Sequence, residues 1–134
     1  MFKEILLLSL VAFAACGLLG GWETADVDDS DVKVAAGHAA EALSKQFASK
    51  YHHRLVKVLK AKKQVVAGLN FRLDVVVGLT TCQKSEMSHE EAGDCELQDT
   101  VSTYKKCTVI VNRDLKDNHK MVTSGCILIS RDEV

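Results

Sequence analysis

The sequence predicts an α+β fold in which one long helix packs across an antiparallel sheet of four to five strands. Apolar residues recur at helical spacing from Ala35 to Phe47. From residue 55 onward apolar and polar residues instead alternate, as they do in strands with one buried face. A glycine-containing reversal at Ala67-Gly68 joins two of these strands, which is typical of an antiparallel hairpin.

Size and charge restrict the class of protein. The chain has 134 residues, with 17 Lys and Arg against 18 Asp and Glu, a formal net charge of −1. This length suffices for one domain and is too short for two. A near-neutral chain with only 5% aromatic residues lacks the basic surface and stacking platforms that bind nucleic acid. We therefore expect neither a large enzyme nor a protein that binds nucleic acid or spans a membrane.

The first residues have the pattern of a secretion signal. A short charged start is followed by an apolar run from Ile5 to Cys16, which is too short to cross a bilayer. Small residues cluster at the end of this run, as signal peptidase requires. The sequence thus predicts a signal peptide over residues 1–16 and a secreted, extracellular domain over residues 17–134.

The helix and the strands follow in order. Asp28, Asp29 and Asp31 supply capping residues and negative charge at the start of a helix that continues to about Lys50. A long hairpin then occupies residues 55–80, and residues 82–101 form a polar loop or appended segment. Two further strands are predicted over residues 103–111 and 121–129, joined by a turn over residues 112–120. A short strand near Trp22 would add a fifth, with this tryptophan packed on the sheet or the helix.

Four cysteines remain after removal of residues 1–16, namely Cys82, Cys95, Cys107 and Cys126. Their spacing lacks the close pairs typical of zinc sites, so we expect no metal and no cofactor. Disulfides are favoured in a secreted chain, and sequence alone leaves three pairings open. Sequential pairing would close two local loops.

The adjacent histidines His52 and His53 invite a catalytic interpretation. A hydrolase with a Cys–His pair, such as Cys82 with His52, would need an unpaired thiol, whereas the cysteines form an even set. Neighbouring residues of an extended chain point to opposite faces. We therefore predict that the two histidines lie in a solvated segment after the helix.

The tip of the first hairpin reads Gln64-Val65-Val66-Ala67-Gly68, which resembles the Gln-x-Val-x-Gly motif of the cystatins, inhibitors of papain-like cysteine proteases. Residues 62–71 and 79–82 look like the second and third strands of secreted, type 2 cystatins. The four cysteines stand where that group has its two disulfides. Leu18-Leu19-Gly20 resembles the N-terminal trunk of the family, in which an apolar pair precedes a glycine. The resemblance extends over residues 17–129.

The resemblance implies an inhibitor and not an enzyme. In this family a wedge made of the trunk and two hairpin tips fills the active-site cleft of papain-like proteases such as cathepsin L, reversibly and in competition with substrate. The residues that it implies for protease binding are Leu18, Leu19, Gly20, Gln64, Val65, Val66, Ala67, Gly68, Leu115 and Lys116.

Two departures from the family pattern bear on the target. Type 2 cystatins usually carry Pro-Trp in the second hairpin, where this chain has Leu115-Lys116. The change removes a large apolar anchor and favours cathepsin L-like proteases over cathepsin B. Some members inhibit legumain through Ser-Asn-Asp after the helix, but here Ser49 is followed by Lys50. Inhibition of legumain is therefore not expected.

The missing Pro-Trp also leaves an alternative function open. The chain could be a cystatin-fold extracellular binding module with weak or no protease inhibition, as in the cathelicidin pro-regions. The intact motif at residues 64–68 argues against this alternative.

The first hairpin also predicts how the chain associates. Val66 lies at a tight reversal, where we expect an unfavourable backbone conformation. Opening residues 64–68 into a continuous strand would let the segment from about residue 31 to 66 exchange between two chains. We expect a monomer that can form a domain-swapped dimer.

Overall fold

The computed structural model describes residues 20–134, and its strands form one antiparallel sheet in the order β1-β2-β3-β4-β5. The predicted signal peptide, Leu18 and Leu19 lie outside the described residues. One long helix packs across the sheet, which confirms the α+β prediction, including the short strand at Trp22. The elements are β1 (Trp22–Ala25), α1 (Ser30–Gln46), β2 (Tyr51–Val66), β3 (Gly68–Gln83), α2 (His89–Ala92), β4 (Thr103–Arg113), β5 (His119–Ser130) and a final 3-10 turn (Arg131–Glu133).

Helix α1 begins at Ser30 because Asp29 caps it. A side-chain oxygen of Asp29 accepts a hydrogen bond from the backbone N–H of Asp31 at 2.9 Å. The helix ends at Gln46, four residues before the predicted end, because Phe47 turns to an extended backbone. Strand β2 accordingly begins at Tyr51 and not at residue 55.

The core lies between α1 and the inner face of the sheet. The helix contributes small or medium side chains, which let it lie close to the strands: Val32, Ala35, Ala36, Ala39, Ala40 and Leu43. Alternate residues of two adjacent inner strands complete the core: Phe71, Leu73, Val75 and Val77 from β3, and Cys107, Val109 and Val111 from β4. Burial of these side chains is the main stabilising contribution to the fold.

The two disulfides pair in sequential order. Cys82–Cys95 joins the end of β3 to the segment that contains α2. Cys107–Cys126 links β4 and β5 at directly paired positions. Since Cys82 has no free thiol, the Cys–His hydrolase alternative is excluded.

The prediction of a solvated His52-His53 segment was wrong, because both side chains are buried, with 7% and 5% of their surface exposed. The early start of β2 places His53 beneath the end of α1, 4.6 Å from the Phe47 ring. Nε2 of His52 donates to the carbonyl oxygen of Met87 at 2.8 Å. Burial, followed by the positive charges of Lys105 and Lys84, lowers the pKa of His53 to about 4.

Residues 20–134 contain neither a membrane-spanning helix nor a cluster of metal ligands. Within this range no helix has both the length and the apolar character needed to cross a membrane. The same residues contain no group of three or more His, Cys, Asp or Glu side chains placed to hold a metal ion.

Candidate functional site

The tip of the first hairpin exposes apolar side chains. Val66 pairs with Gly68, so Ala67 alone forms the apex. Val65 is 56% exposed and Val66 is 38% exposed, although valine is among the residues most often buried. Gly68 takes the positive φ of the turn, at 120°. The expectation of an unfavourable backbone conformation at Val66 was wrong, because the positive φ lies at Gly68 and not at Val66.

The second hairpin tip, residues 114–118, is closed by Asp114. The Asp114 carboxylate accepts hydrogen bonds from the backbone N–H groups of Lys116 at 2.8 Å and Asn118 at 3.0 Å. The bond from Asn118, followed by that from Lys116, lowers the pKa of Asp114. The turn is shorter than predicted, since β4 and β5 pair as far as Arg113 and His119. Leu115 projects from this tip with 81% of its surface exposed.

The two tips lie side by side and share a surface. Gly68 approaches β4 so closely that a Cβ atom on it would overlap the carbonyl oxygen of Arg113. An open groove of about 410 Å³ runs between the tips, lined by Ala67, Asp114, Leu115, Lys116 and Asn118. The hairpins therefore present one continuous surface and not two separate loops.

The N-terminal segment lies against the other side of the first hairpin. Strand β1 pairs with β2, with Trp22 opposite Gln64, and the Trp22 side chain is half-buried. Nε2 of Gln64 donates to the carbonyl oxygen of Gly20 at 2.8 Å. Gly20, residues 65–68 and residues 114–118 thus lie along one edge of the sheet, which we call the loop edge.

Two ion pairs fix the start of α1 to the strands that carry the loop edge. Nζ of Lys63 in β2 lies 2.8 Å from Oδ2 of Asp29, and this hydrogen bond lowers the pKa of Asp29. Nη1 of Arg113 in β4 lies 3.2 Å from Oδ1 of Asp31. Both hairpins are therefore held to the same helix end.

Two residues of this region were missed by sequence reasoning. Asn70 and Asn112 stand opposite each other on β3 and β4, and Nδ2 of Asn112 donates to Oδ1 of Asn70 at 2.8 Å. Nδ2 of Asn70 donates in turn to Oε1 of Gln64 at 3.1 Å. An outward-facing asparagine in a strand is ordinary, so the sequence contained no signal that would single these two out.

Comparisons with known proteins agree with this architecture. Residues 20–116 match the model of the cystatin domain. L-cystatin of Tachypleus tridentatus is 45% identical over 89 residues, which cover 66% of this chain and 67% of that relative. Cystatin-C of Rattus norvegicus is 33% identical over 132 residues, covering 91% and 92% of the two chains. The crystal structure of dimeric human cystatin F shares the fold, with a TM-score of 0.75 at 23% identity over 84% of this chain and 90% of that one. By its matched domain, its relatives and its fold, the chain belongs to the cystatin family.

Proposed function

We propose that the chain is a secreted, reversible, tight-binding competitive inhibitor of papain-like cysteine proteases, with cathepsin L-like enzymes as the preferred class. As a cystatin it is a protease inhibitor and not an enzyme. The finer proposal is that the loop edge enters the active-site cleft as a wedge. The shared placement of Gly20 and the two hairpin tips along one edge is the observation that carries it.

The chemistry of the loop edge suits a groove with apolar walls. Val65, Val66 and Leu115 are exposed, and burying them against a protease would remove apolar surface from water. Valine has few rotamers, so the first tip loses little side-chain entropy when it binds. Because both tips are already closed by backbone pairing, little ordering cost opposes association.

The wedge also accounts for inhibition without cleavage. A substrate presents an extended peptide bond to the thiolate of the protease. Here the chain turns back at Ala67 and again within residues 114–118, so neither tip continues along the cleft as a substrate would. Gln64 and Ala67 would lie at the rim and the apex of the inserted tip.

The trunk would supply the third contact. Leu18 and Leu19 are proposed as anchors in the substrate-binding pockets, with Gly20 as the point where the chain bends away from the thiolate. The hydrogen bond from Gln64 to the Gly20 carbonyl supports this, because it fixes Gly20 beside the first hairpin. The trunk residues would then approach the cleft from beside the first hairpin.

The second hairpin is proposed as the weaker contact, and it sets selectivity. Leu115 offers an exposed apolar side chain, but Lys116 stands where the indole of type 2 cystatins would lie. A protease with an open cleft, such as cathepsin L, would tolerate this loss. Cathepsin B, whose cleft is partly covered by a loop, would be inhibited less. Legumain is not proposed as a target.

Secretion is part of the same proposal. Two disulfides favour an oxidising compartment outside the cytosol. We propose residues 1–16 as the signal peptide and residues 17–134 as the mature inhibitor, active as a monomer.

Titration of papain with the mature chain tests the proposal. We expect stoichiometric, reversible inhibition that competes with a peptide substrate, and an intact chain by mass spectrometry after prolonged incubation.

The presence of Leu115-Lys116 in place of Pro-Trp favours a second candidate function, that of a cystatin-fold binding module with weak or no inhibition. Absence of inhibition at micromolar concentrations of a folded chain would reject the wedge and leave that candidate.

A further inference from the structure

Three side-chain amides form a row across the sheet next to the loop edge. Gln64, Asn70 and Asn112 come from β2, β3 and β4, and each stands directly opposite the next in the strand pairing. Their hydrogen bonds measure 3.1 Å between Gln64 and Asn70 and 2.8 Å between Asn70 and Asn112. We call these three side chains the amide row.

The direction of the row is fixed by the Gly20 carbonyl. A carbonyl oxygen only accepts, so the NH₂ group of Gln64 must face it and Oε1 must face Asn70. Asn70 therefore donates toward Gln64 and presents its own oxygen to Asn112. Reversing one amide would place two NH₂ groups or two oxygens against each other, so the three orientations depend on one another.

The row connects all the parts of the loop edge. One end holds Gly20, and Gln64 directly precedes the first tip. At the other end Asn112 precedes Arg113, whose carbonyl oxygen lies against Gly68. Thus a chain of side-chain hydrogen bonds links Asn112 to the N-terminal segment across the two intervening strands, β3 and β2.

We propose that Asn70 and Asn112 are positioning residues for protease binding, which hold Gln64 and the N-terminal segment in the arrangement that the cleft requires. The inference rests on the proposed function. A free Gln64 side chain has several rotamers and would lose that freedom only on binding. The amide row removes this freedom in the unbound inhibitor, so the loop edge is preorganised.

The same two strands provide a matched control. Thr108 and Asp74 also stand opposite each other on β4 and β3, and Oγ1 of Thr108 donates to Oδ1 of Asp74 at 2.9 Å. Like Asn112, Thr108 supplies one cross-strand hydrogen bond between β4 and β3. This pair has no hydrogen bond to Gln64 or Gly20. Asn112→Ala and Thr108→Ala therefore remove similar bonds, only one of which belongs to the amide row.

The experiment measures papain inhibition by both variants in the mature chain and in a chain that begins at Gly21. For Asn112→Ala we expect weakening of about fivefold to tenfold in the mature chain, because the row fixes Gly20, and less than about twofold in the shortened chain, which lacks Gly20. Thr108→Ala should change inhibition by less than about twofold in either chain. Equal effects of Asn112→Ala in the two chains, or equal effects of the two substitutions, would overturn the inference.

A second measurement does not depend on inhibition. Trp22 is the single tryptophan and stands opposite Gln64, so its fluorescence reports on the N-terminal segment. We expect Asn112→Ala, but not Thr108→Ala, to increase quenching of Trp22 by acrylamide. If the wild-type chain failed to inhibit papain, the proposed function would fall, whereas this quenching would still decide whether the row positions the segment. Unchanged quenching in Asn112→Ala would contradict the proposal that the amide row positions the N-terminal segment.

Discussion

Gly68 contacts Arg113 through backbone atoms, and there is no space for a side chain between them. A Cβ atom on Gly68 would overlap the Arg113 carbonyl oxygen and lie 3.3 Å from Cα of Asp114. Gly68 also has a φ of 120°, a conformation that other residues adopt only with strain. Two independent requirements for glycine therefore meet where the first hairpin touches the second.

Replacement of Gly68 by alanine should separate the two hairpin tips and strain the first. We expect Gly68→Ala to raise the inhibition constant for papain at least tenfold, equivalent to about 1.4 kcal/mol. Gly125→Ala in β5 is the control, since no atom lies within 4 Å of the added methyl group. If both variants inhibited alike, the contact between the hairpins would have no part in protease binding.

Removal of the trunk should weaken inhibition because the second hairpin lacks its usual aromatic anchor. We expect deletion of residues 17–19 to raise the inhibition constant for cathepsin L about tenfold or more. The hydrogen bond between Gln64 and Gly20 remains available in this variant, so the tips should keep their arrangement. Unchanged inhibition by the shortened chain would exclude Leu18 and Leu19 as anchors.

An aromatic residue at the second tip should restore the missing contact. We expect Lys116→Trp to tighten inhibition of cathepsin B by about fivefold or more, because an indole adds a large apolar surface next to the exposed Leu115. Lys57→Trp, at an exposed position in the middle of β2, controls for added hydrophobicity and should leave inhibition unchanged. Equal gains from both substitutions would contradict a role of the second tip in selectivity.

Much of the fold could be predicted because its signals are local. The alternation of Phe71, Leu73 and Val75 marks one buried face of a strand regardless of what packs against it. The histidines were misjudged because their burial depends on tertiary packing: His53 lies beneath the end of α1 against Phe47. His52 is covered by the chain around Met87, 35 positions away, and no local pattern shows that contact.

The residues of the site also differ in how far the sequence alone could predict them. The motif at residues 64–68 is contiguous, so the sequence alone identified the first tip. Asn70 and Asn112 are 42 positions apart and align only through the register of β3 and β4. Register depends on the pairing of whole strands, and an asparagine on an outward face looks like any solvated residue. The residues that hold Gln64 were therefore harder to find than the tip itself.

Acid should destabilise the protein through His53. The folded state holds the pKa of His53 at about 4, below its ordinary value of 6.5, so the unfolded chain binds more protons between these values. Stability should therefore decrease as the pH falls from about 6.5 to about 4. His53→Phe keeps a ring beside Phe47 but cannot be protonated. We expect its urea midpoint to change less than that of the wild type over this range.

The decrease below pH 4 should persist in His53→Phe. Asp29 accepts a hydrogen bond from Lys63, and its lowered pKa gives stability that is lost when the carboxylate is protonated. The two groups thus act in different pH ranges. Identical urea midpoints for wild type and His53→Phe between pH 6.5 and 4 would show that burial of His53 has no influence on acid stability.

Exchange of the N-terminal half between two chains is the last expectation. Both disulfides join residues from Cys82 onward, so no covalent cross-link holds β1, α1 and β2 to the remaining strands. Only Ala67 separates the paired residues Val66 and Gly68, so the connection between β2 and β3 is a single residue long. If residues 64–68 open into a continuous strand, β2 can pair with β3 of a second copy and rebuild the same core.

Such a dimer should not inhibit, because the first tip no longer exists in it. We expect incubation just below the unfolding temperature to yield a dimer by size-exclusion chromatography that leaves papain active. Inserting two glycines after Ala67 should reduce the dimer fraction, since a longer connection makes it easier for β2 to fold back onto β3 of its own chain. Val66→Asn should not, because the positive φ lies at Gly68 and not at Val66. A dimer that inhibits as well as the monomer would mean that the chains associate through another surface and that the hairpin stays closed.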